Sequence, residues 1–368
     1  MARTISLLGL LLLLAPSAIL ADDASVSLAD RVDRDGEPLA GSRLAGPVPG
    51  PVPGRGGGLD VDPGEPPEGD YLGWPVYTRD GQRILVSNRG TDNVTVLDAA
   101  TQQTVANVDV GTYPAGIAVT DHYAVVACAF ADEAWILDLA DLSVAAVIPT
   151  AEQPWVVRTS PDGTRAFVAC DIPDVCEIID LETLAHAGSI AGFPISLLSF
   201  SWGSENGRNG VRFTGFEVTP DGQYLVTGDR DDSVDFFDAV TGALVHSLTG
   251  IPDCTTVGLS GDGTTLVAVS ATTEATAHRI DLAGPTLLGS VTVRDHGLST
   301  HEVAVDEDGT KAFLGISGNA SCFVNFATGG YNVLSSTYTP FALGTSPDHT
   351  LAIGIQYRFS ILEFDREI

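Results

Sequence analysis

The segment from Arg294 to Glu302 concentrates side chains that could bind a metal ion or transfer protons. Its sequence, RDHGLSTHE, contains His296, His301 and Glu302. Two imidazoles and a carboxylate suit a divalent transition metal, and the same groups can serve as general acid and base. The spacing does not match the helical H-E-x-x-H pattern, and paired surface histidines commonly have neither role. A divalent metal site, a catalytic site and a plain surface loop therefore all stay open, and no other cofactor is expected.

A second group of candidates consists of aromatic and charged side chains that could contact a ligand. Ser199 to Phe213 is an insertion in an otherwise regular chain, and loops of this kind often carry function. A decorative insertion is the alternative. The complete set of ligand-binding candidates is Tyr113, Trp155, Trp202, Arg208, Arg212, Asp229, Arg230, His301 and Glu302.

The chain has five cysteines, and two of them flank a short hairpin with the sequence CDIPDVC. Paired strands bring opposite Cα atoms within the range that a disulfide tolerates. We therefore predict a disulfide between Cys170 and Cys176. No C-x-x-C pair is present, and an odd count leaves at least one thiol unpaired.

These residues are distributed over a repeat that runs almost to the end of the chain. Each copy has an Asp-Gly turn, an apolar run, a polar break and a second apolar run that closes on Asp. The closing positions, 39 to 58 residues apart, are Asp98, Asp138, Asp180, Asp238, Asp281, Phe326 and Asp365. A period near 40 built of short alternating strands is typical of a propeller blade. The sequence thus predicts an all-β fold, a single seven-bladed β-propeller with four-stranded antiparallel blades.

The first copy, LVSNRGTDNVTVLDAATQQTVANVDVGTYPAGIAV (Leu85 to Val119), resembles the YVTN-type repeats of lactonase-like and surface-layer-type propellers, which are WD40-like. The later copies TSPDGTRAFVAC and VTPDGQYLVTG are similar to the same pattern in part. This resemblance covers about Tyr71 to Asp365 and implies a propeller in an exported or cell-surface protein. It implies little about activity.

The predicted domain organisation has three parts. Residues 1–21 have the short apolar stretch and small residues of a signal peptide, and residues 22–70 are a Pro/Gly-rich segment expected to be a flexible linker. Residues 71–368 form the propeller. Because the chain stops soon after its last third strand, the closing strand is expected from SVSLAD or GLDVD in the linker; a last blade of three strands is the alternative.

The composition restricts the partners. The chain has 18 basic and 48 acidic residues, a net charge of −30, and Lys311 as its single lysine. Such a surface repels nucleic acid and anionic membranes. We expect a monomer, secreted, periplasmic or at the cell surface, with no integral membrane segment after signal cleavage.

The function expected from these features is non-enzymatic. The propeller would bind a protein, glycan or small ligand on its channel face, where second strands end and inner strands begin. The alternatives are a lactonase-like hydrolase using His301 and Glu302, and a metal- or redox-associated propeller subunit. No nucleophile elbow, phosphate-binding loop or dinucleotide motif is present in the sequence.

The charge excess predicts that salt stabilises the protein. The screening length falls from about 30 Å at 0.01 M salt to about 3 Å at 1 M, so repulsion between surface carboxylates weakens as salt is added. We expect a higher melting temperature in sodium chloride at about 1 M than at about 0.05 M. Chloride is the suitable salt, since sulfate also strengthens apolar burial. A melting temperature that is flat or falls over this range would show that the excess is not an adaptation to salt.

Overall fold

A computed structural model describes residues 72–193, 215–229, 232–271, 274–294, 303–316, 320–335, 342–355 and 359–363. All of them lie in the compact unit formed by residues 52–368. The predicted signal peptide and linker, with both candidate closing strands, lie outside the described residues.

The described strands form seven antiparallel sheets, which we number as blades 1–7 in chain order. Blades 1–3 comprise β1 (Leu72–Tyr77), β2 (Arg83–Asn88), β3 (Asn93–Asp98), β4 (Thr104–Asp109); β5 (Pro114–Val119), β6 (Tyr123–Cys128), β7 (Glu133–Asp138), β8 (Val144–Pro149); β9 (Glu152–Thr159), β10 (Arg165–Ile172), β11 (Val175–Asp180), β12 (Ala185–Ala191). Blades 4 and 5 comprise β13 (Phe216–Val218), β14 (Tyr224–Asp229), β15 (Ser233–Asp238), β16 (Leu244–Thr249); β17 (Cys254–Leu259), β18 (Thr265–Ala271), β19 (Ala275–Asp281), β20 (Thr286–Val293). Blades 6 and 7 comprise β21 (Ala304–Val305), β22 (Lys311–Ile316), β23 (Ala320–Asn325), β24 (Gly330–Ser335); β25 (Ala342–Thr345), β26 (Leu351–Ile355), β27 (Phe359–Glu363).

The inner strands close into a ring. Each inner strand contacts the inner strand of the next blade, and β25 contacts β1. Two close approaches show how tightly they pack: a Cβ at Gly258 would lie 2.6 Å from the Val303 carbonyl oxygen, and one at Gly344 would lie 2.7 Å from that of Pro75. The predicted all-β, seven-bladed fold is therefore confirmed. Six blades have four strands, and blade 7 has three among the described residues.

The core lies between the blades, as expected for sheets that stack face to face. One apolar cluster joins blades 2 and 3, another joins blades 4 and 5, and a third joins blades 5 and 6. The outer strands have mostly exposed side chains, for example in β4 and β16.

The strand register corrects two of the closing positions. In blades 1 to 5 the first residue of the second strand pairs with the closing Asp, as Arg83 does with Asp98. By the same rule Lys311 pairs with Asn325, and Leu351 pairs with Glu363. The predictions of Phe326 and Asp365 in this position were therefore wrong, because other residue types had replaced the repeated Asp.

The predicted disulfide is also corrected. Cys170 lies opposite Val175 and Cys176 lies opposite Ala169, so the two side chains point to opposite faces of the sheet. Both thiols are free and buried. The hairpin was predicted correctly, but its pairing is one residue away from the register that a bridge would require.

Aspartates stabilise the turns between inner and second strands. In blade 1 the Thr78 hydroxyl donates to Asp80 Oδ1 (2.6 Å) and accepts from the Arg83 N–H (3.0 Å), while Gln82 N–H donates to the same carboxylate oxygen. The same network recurs in blades 3, 4, 5 and 7 with Asp162, Asp221, Asp262 and Asp348. The hydrogen bond from Thr78, followed by that from Gln82, lowers the pKa of Asp80.

This network predicts acid sensitivity. The hydroxyl of Ser160 and the N–H of Thr164 lower the pKa of Asp162, and Ser346 and Thr350 do the same for Asp348. Because these folded-state values lie below the unfolded value of about 3.9, the stabilisation is present above that value and is lost as pH falls through the folded pKa values. We expect the free energy of unfolding in urea to drop steeply below about pH 4.

Two variants separate this cause from general charge effects. Asp162→Ala should lower the free energy of unfolding by about 0.5–1 kcal/mol at pH 7, and by less at pH 3. Asp109→Ala, at an exposed position where the carboxylate accepts no hydrogen bond from described residues, should follow the native protein at both pH values. An equal loss for Asp162→Ala at both pH values would contradict the assignment.

Candidate functional site

The channel face of blades 1 to 3 contains two of the predicted ligand-binding residues. Tyr113 directly precedes β5 and Trp155 lies in the neighbouring inner strand β9, and the two residues are 7% and 1% exposed. Their rings meet edge-on with centroids 5.7 Å apart, and Phe130 contacts both. The Arg89 guanidinium lies 5.7 Å from the centroid of the Tyr113 ring. The sequence thus predicted their location, but the rings pack under the surface, and their contact with a ligand stays a prediction.

Three hydrogen bonds fix the loops of this face. Each runs from a backbone N–H at the entry to an inner strand to an aspartate 21 residues earlier, in the hairpin of the preceding blade. The bonds are Tyr113 N–H to Asp92 (2.8 Å), Gln153 N–H to Asp132 (2.9 Å) and Asp253 N–H to Asp232 (3.0 Å). All six residues have positive φ, between 45° and 68°. We call these bonds the aspartate clamps. Since this backbone conformation is unfavourable for residues with a Cβ, the clamps hold loops that would otherwise relax.

The remaining candidates that the sequence predicts for this face are only partly described. Asp229 ends β14 and pairs with Ser233 in the ladder. Trp202, Arg208, Arg212, Arg230, His296, His301 and Glu302 lie outside the described residues. The insertion and the RDHGLSTHE segment therefore stay predictions. The insertion belongs to the connection that enters blade 4, and RDHGLSTHE belongs to the connection that enters blade 6. The clamps act on the connections that enter blades 2, 3 and 5.

Blade 3 contributes a carboxyl group that titrates near neutral pH. Burial, followed by repulsion from Asp174, raises the pKa of Asp171 to about 6. Both residues lie in or beside the β10–β11 hairpin at the channel face. This group gives the face a charge that changes between pH 5 and 7.

An ion pair that was not predicted from the sequence lies beside the channel. Arg158 of β9 and Glu217 of β13 approach to 3.1 Å, with side chains 18% and 21% exposed. The equivalent inner-strand positions of the other blades, two residues before the turn Ser, Thr or Asp, are small or apolar: Val76, Ala118, Gly258, Ala304 and Gly344. Aligning the inner strands on the turn would have revealed this departure.

The surroundings of Glu217 affect its ionisation in two opposite ways. Burial raises its pKa, while Arg158 and then His349 act in the opposite direction. His349 lies in the inner turn of blade 7, where its Nδ1 donates to the Val305 carbonyl (2.8 Å). A residue of blade 7 thus acts electrostatically on a carboxylate of blade 4.

Several further titratable groups in the described blades are buried. Desolvation lowers the pKa of His278 to about 4, and its ring bonds to Ser270 and Ser290, both at 2.8 Å. Burial raises the pKa of Cys128, Cys170 and Cys322 to about 12. These thiols stay protonated at neutral pH, so they are poor nucleophiles and poor metal ligands. The described residues contain no group of three or more His, Cys, Asp or Glu side chains that could hold a metal.

Comparison with known proteins supports the fold. No protein-family model and no curated protein matches the chain. Among solved structures, a chain of Kuenenia stuttgartiensis hydrazine synthase is similar with a TM-score of 0.66 and 18% identity, over 81% of this chain and 97% of that one. The Cps50 (Swd1) β-propeller domain of Myceliophteria thermophila is similar with a TM-score of 0.65 and 14% identity, over 81% and 99%. At these identities the likeness shows a β-propeller and no shared activity. In the described part of the chain, no helix is long and apolar enough to cross a membrane.

The ion pair between Arg158 and Glu217 should couple the inner strands of blades 3 and 4, and this coupling can be measured as stability. Arg158→Leu leaves a partly buried carboxylate without its cation and should lower the free energy of unfolding by about 1–3 kcal/mol at pH 7. Because the pKa of Glu217 is raised further in this variant, the loss should be greater at pH 8 than at pH 5. The double variant Arg158→Leu/Glu217→Leu should recover much of it, as measured by urea unfolding. Additive losses would mean that the pair does not couple the inner strands of blades 3 and 4.

Proposed function

We propose that this chain is an exported, non-enzymatic β-propeller that binds a protein, glycan or small ligand on its channel face. The proposal includes membership of the YVTN-type repeat family and a secreted, periplasmic or cell-surface location, both from the sequence. The supporting observation is the set of aspartate clamps. They keep the loops of blades 1, 2 and 4 in conformations that cost energy, and loops fixed before binding lower the entropy lost on binding.

The ligand-contacting groups in this proposal come from the connections next to the clamped loops. Trp202, Arg208 and Arg212 of the insertion supply stacking and charged hydrogen bonds, and His301 and Glu302 supply a second polar group. Asp171, whose pKa is about 6, makes ligand binding pH-dependent in the region of blade 3. The hydrolase and metal alternatives depend on His296, His301 and Glu302, so they are separate outcomes of the same test.

The test screens the purified protein against a defined glycan array and a small-ligand library, with melting temperature and calorimetry as readouts. Binding should be at least about tenfold weaker in Arg208→Ala/Arg212→Ala or Trp202→Ala, as expected for loss of a charged hydrogen bond or a stacking contact. The matched control is Glu182→Ala, an exposed residue on the opposite, turn-bearing face.

Three results would oppose the proposal. Binding that is equal in the insertion variants and the control would place the ligand elsewhere. Turnover of simple lactones that is lost in His301→Ala would identify a hydrolase. Stoichiometric zinc or nickel binding that is lost in the same variant would identify a metal site.

A further inference from the structure

A cleft of about 520 Å³ opens between blades 1 and 2 on the turn face, opposite the channel face. It exists because the inner turn of blade 2 is short. The Thr78 hydroxyl of blade 1 accepts from an N–H five residues later, whereas the Thr120 hydroxyl accepts from one three residues later, that of Tyr123. The inner turn of blade 2 is therefore two residues shorter than that of blade 1. The volume falls within the range of about 300–1,000 Å³ that is usual for small-molecule sites.

Two arginines form the donor side of the cleft. Arg79 reaches past the short turn to donate to the Ser160 and Pro161 carbonyls of blade 3, both at 3.1 Å. Arg83 donates to the Leu139 carbonyl at 2.7 Å. Backbone carbonyls thus hold both guanidinium groups in place without neutralising them. The carboxylate nearest to Arg79, that of Asp121, is 3.8 Å away and 71% exposed.

Two aspartates form the acceptor side. Asp80 uses Oδ1 to accept from Thr78 and Gln82, and Asp138 uses Oδ1 to accept from the Ala140 N–H (2.7 Å). Their Oδ2 atoms accept no hydrogen bond from the described residues. Both carboxylates are therefore oriented by the fold and keep an oxygen for a ligand. Tyr123 and Leu139 add apolar surface to the lining.

We propose that this cleft binds a neutral polyhydroxylated ligand, a mono- or disaccharide. Each sugar hydroxyl can donate and accept, so neighbouring hydroxyls fit a wall that presents guanidinium donors next to carboxylate acceptors. The net charge of −30 opposes an anion, and a cation would use only the acceptor side of the cleft, whereas a neutral sugar can use both sides. Fixed donors and acceptors also suit a ligand whose hydroxyls are spaced by a rigid ring. This site is separate from the channel face and does not depend on the proposed function.

The test titrates the full chain with glucose, galactose, mannose, N-acetylglucosamine and their disaccharides, using calorimetry and saturation-transfer NMR, with glycerol as the control for weak contact. Asp138→Asn keeps the acceptor for the Ala140 N–H and removes the free carboxylate oxygen. It should weaken binding at least about tenfold. Asp180→Asn is the matched control, because Asp180 accepts from turn N–H groups in blade 3 in the same way but lies outside the cleft. Its affinity should equal that of the native protein.

A second variant tests the cavity itself. Inserting two residues after Asp121 restores the length of the other inner turns and should abolish binding, while the melting temperature shows whether the ring stays folded. Saturable binding of a sugar that survives both Asp138→Asn and the insertion would overturn the proposal, as would the absence of binding by every sugar tested. Loss of binding in Trp202→Ala alone would assign the sugar to the channel face and would also overturn it.

Discussion

The hydrogen bond that a backbone N–H donates to an aspartate carboxylate is the interaction on which this propeller depends. It occurs at the turn between inner and second strands, at the turn between third and fourth strands, and in the clamp that leads into the next blade, as Asp80, Asp98 and Asp92 show in blade 1. A blade of four short strands has no helix and little apolar surface of its own. Its turns therefore need local stabilisation, and the short aspartate side chain supplies an acceptor for it at most of the described turns.

The candidate sites occur where one blade departs from this plan. The shortened turn at Thr120 opens the cleft between blades 1 and 2. The charged pair Arg158 and Glu217 occupies positions that are small or apolar in the other five blades. The aspartate clamps act on three connections, and the insertion and the RDHGLSTHE segment belong to connections where no clamp is described. The features that all blades share stabilise the fold, whereas the candidate sites lie where one blade differs from the others. For this reason the fold alone does not reveal activity.

Much of the fold could be predicted from the sequence, because strand alternation and turn residues are local signals. The seven sheets, the Asp-Gly turns and the channel-face position of Tyr113 and Trp155 follow from them. The burial of individual side chains and the register of the strands do not follow from these local signals. The two rings were expected at a ligand surface and are buried, since their exposure depends on Phe130 and neighbouring loops. Cys170 and Cys176 were expected to pair, but a shift of one residue puts them on opposite faces. Arg158 and Glu217 could have been found by aligning the inner strands.

The aspartate bonds also change the interpretation of the net charge. Adaptation to salt was the explanation suggested by composition, and it does not specify where the carboxylates should lie. In the described blades many carboxylates lie in equivalent turn positions, where their oxygens accept hydrogen bonds from N–H groups. At the corresponding position of blade 6, Asn325 accepts such a bond without carrying a charge. Such carboxylates are present because the turn requires an acceptor, so part of the −30 is a consequence of the repeat. Salt can then screen their mutual repulsion without having selected them, and only acidic residues outside these turns provide evidence for a saline environment.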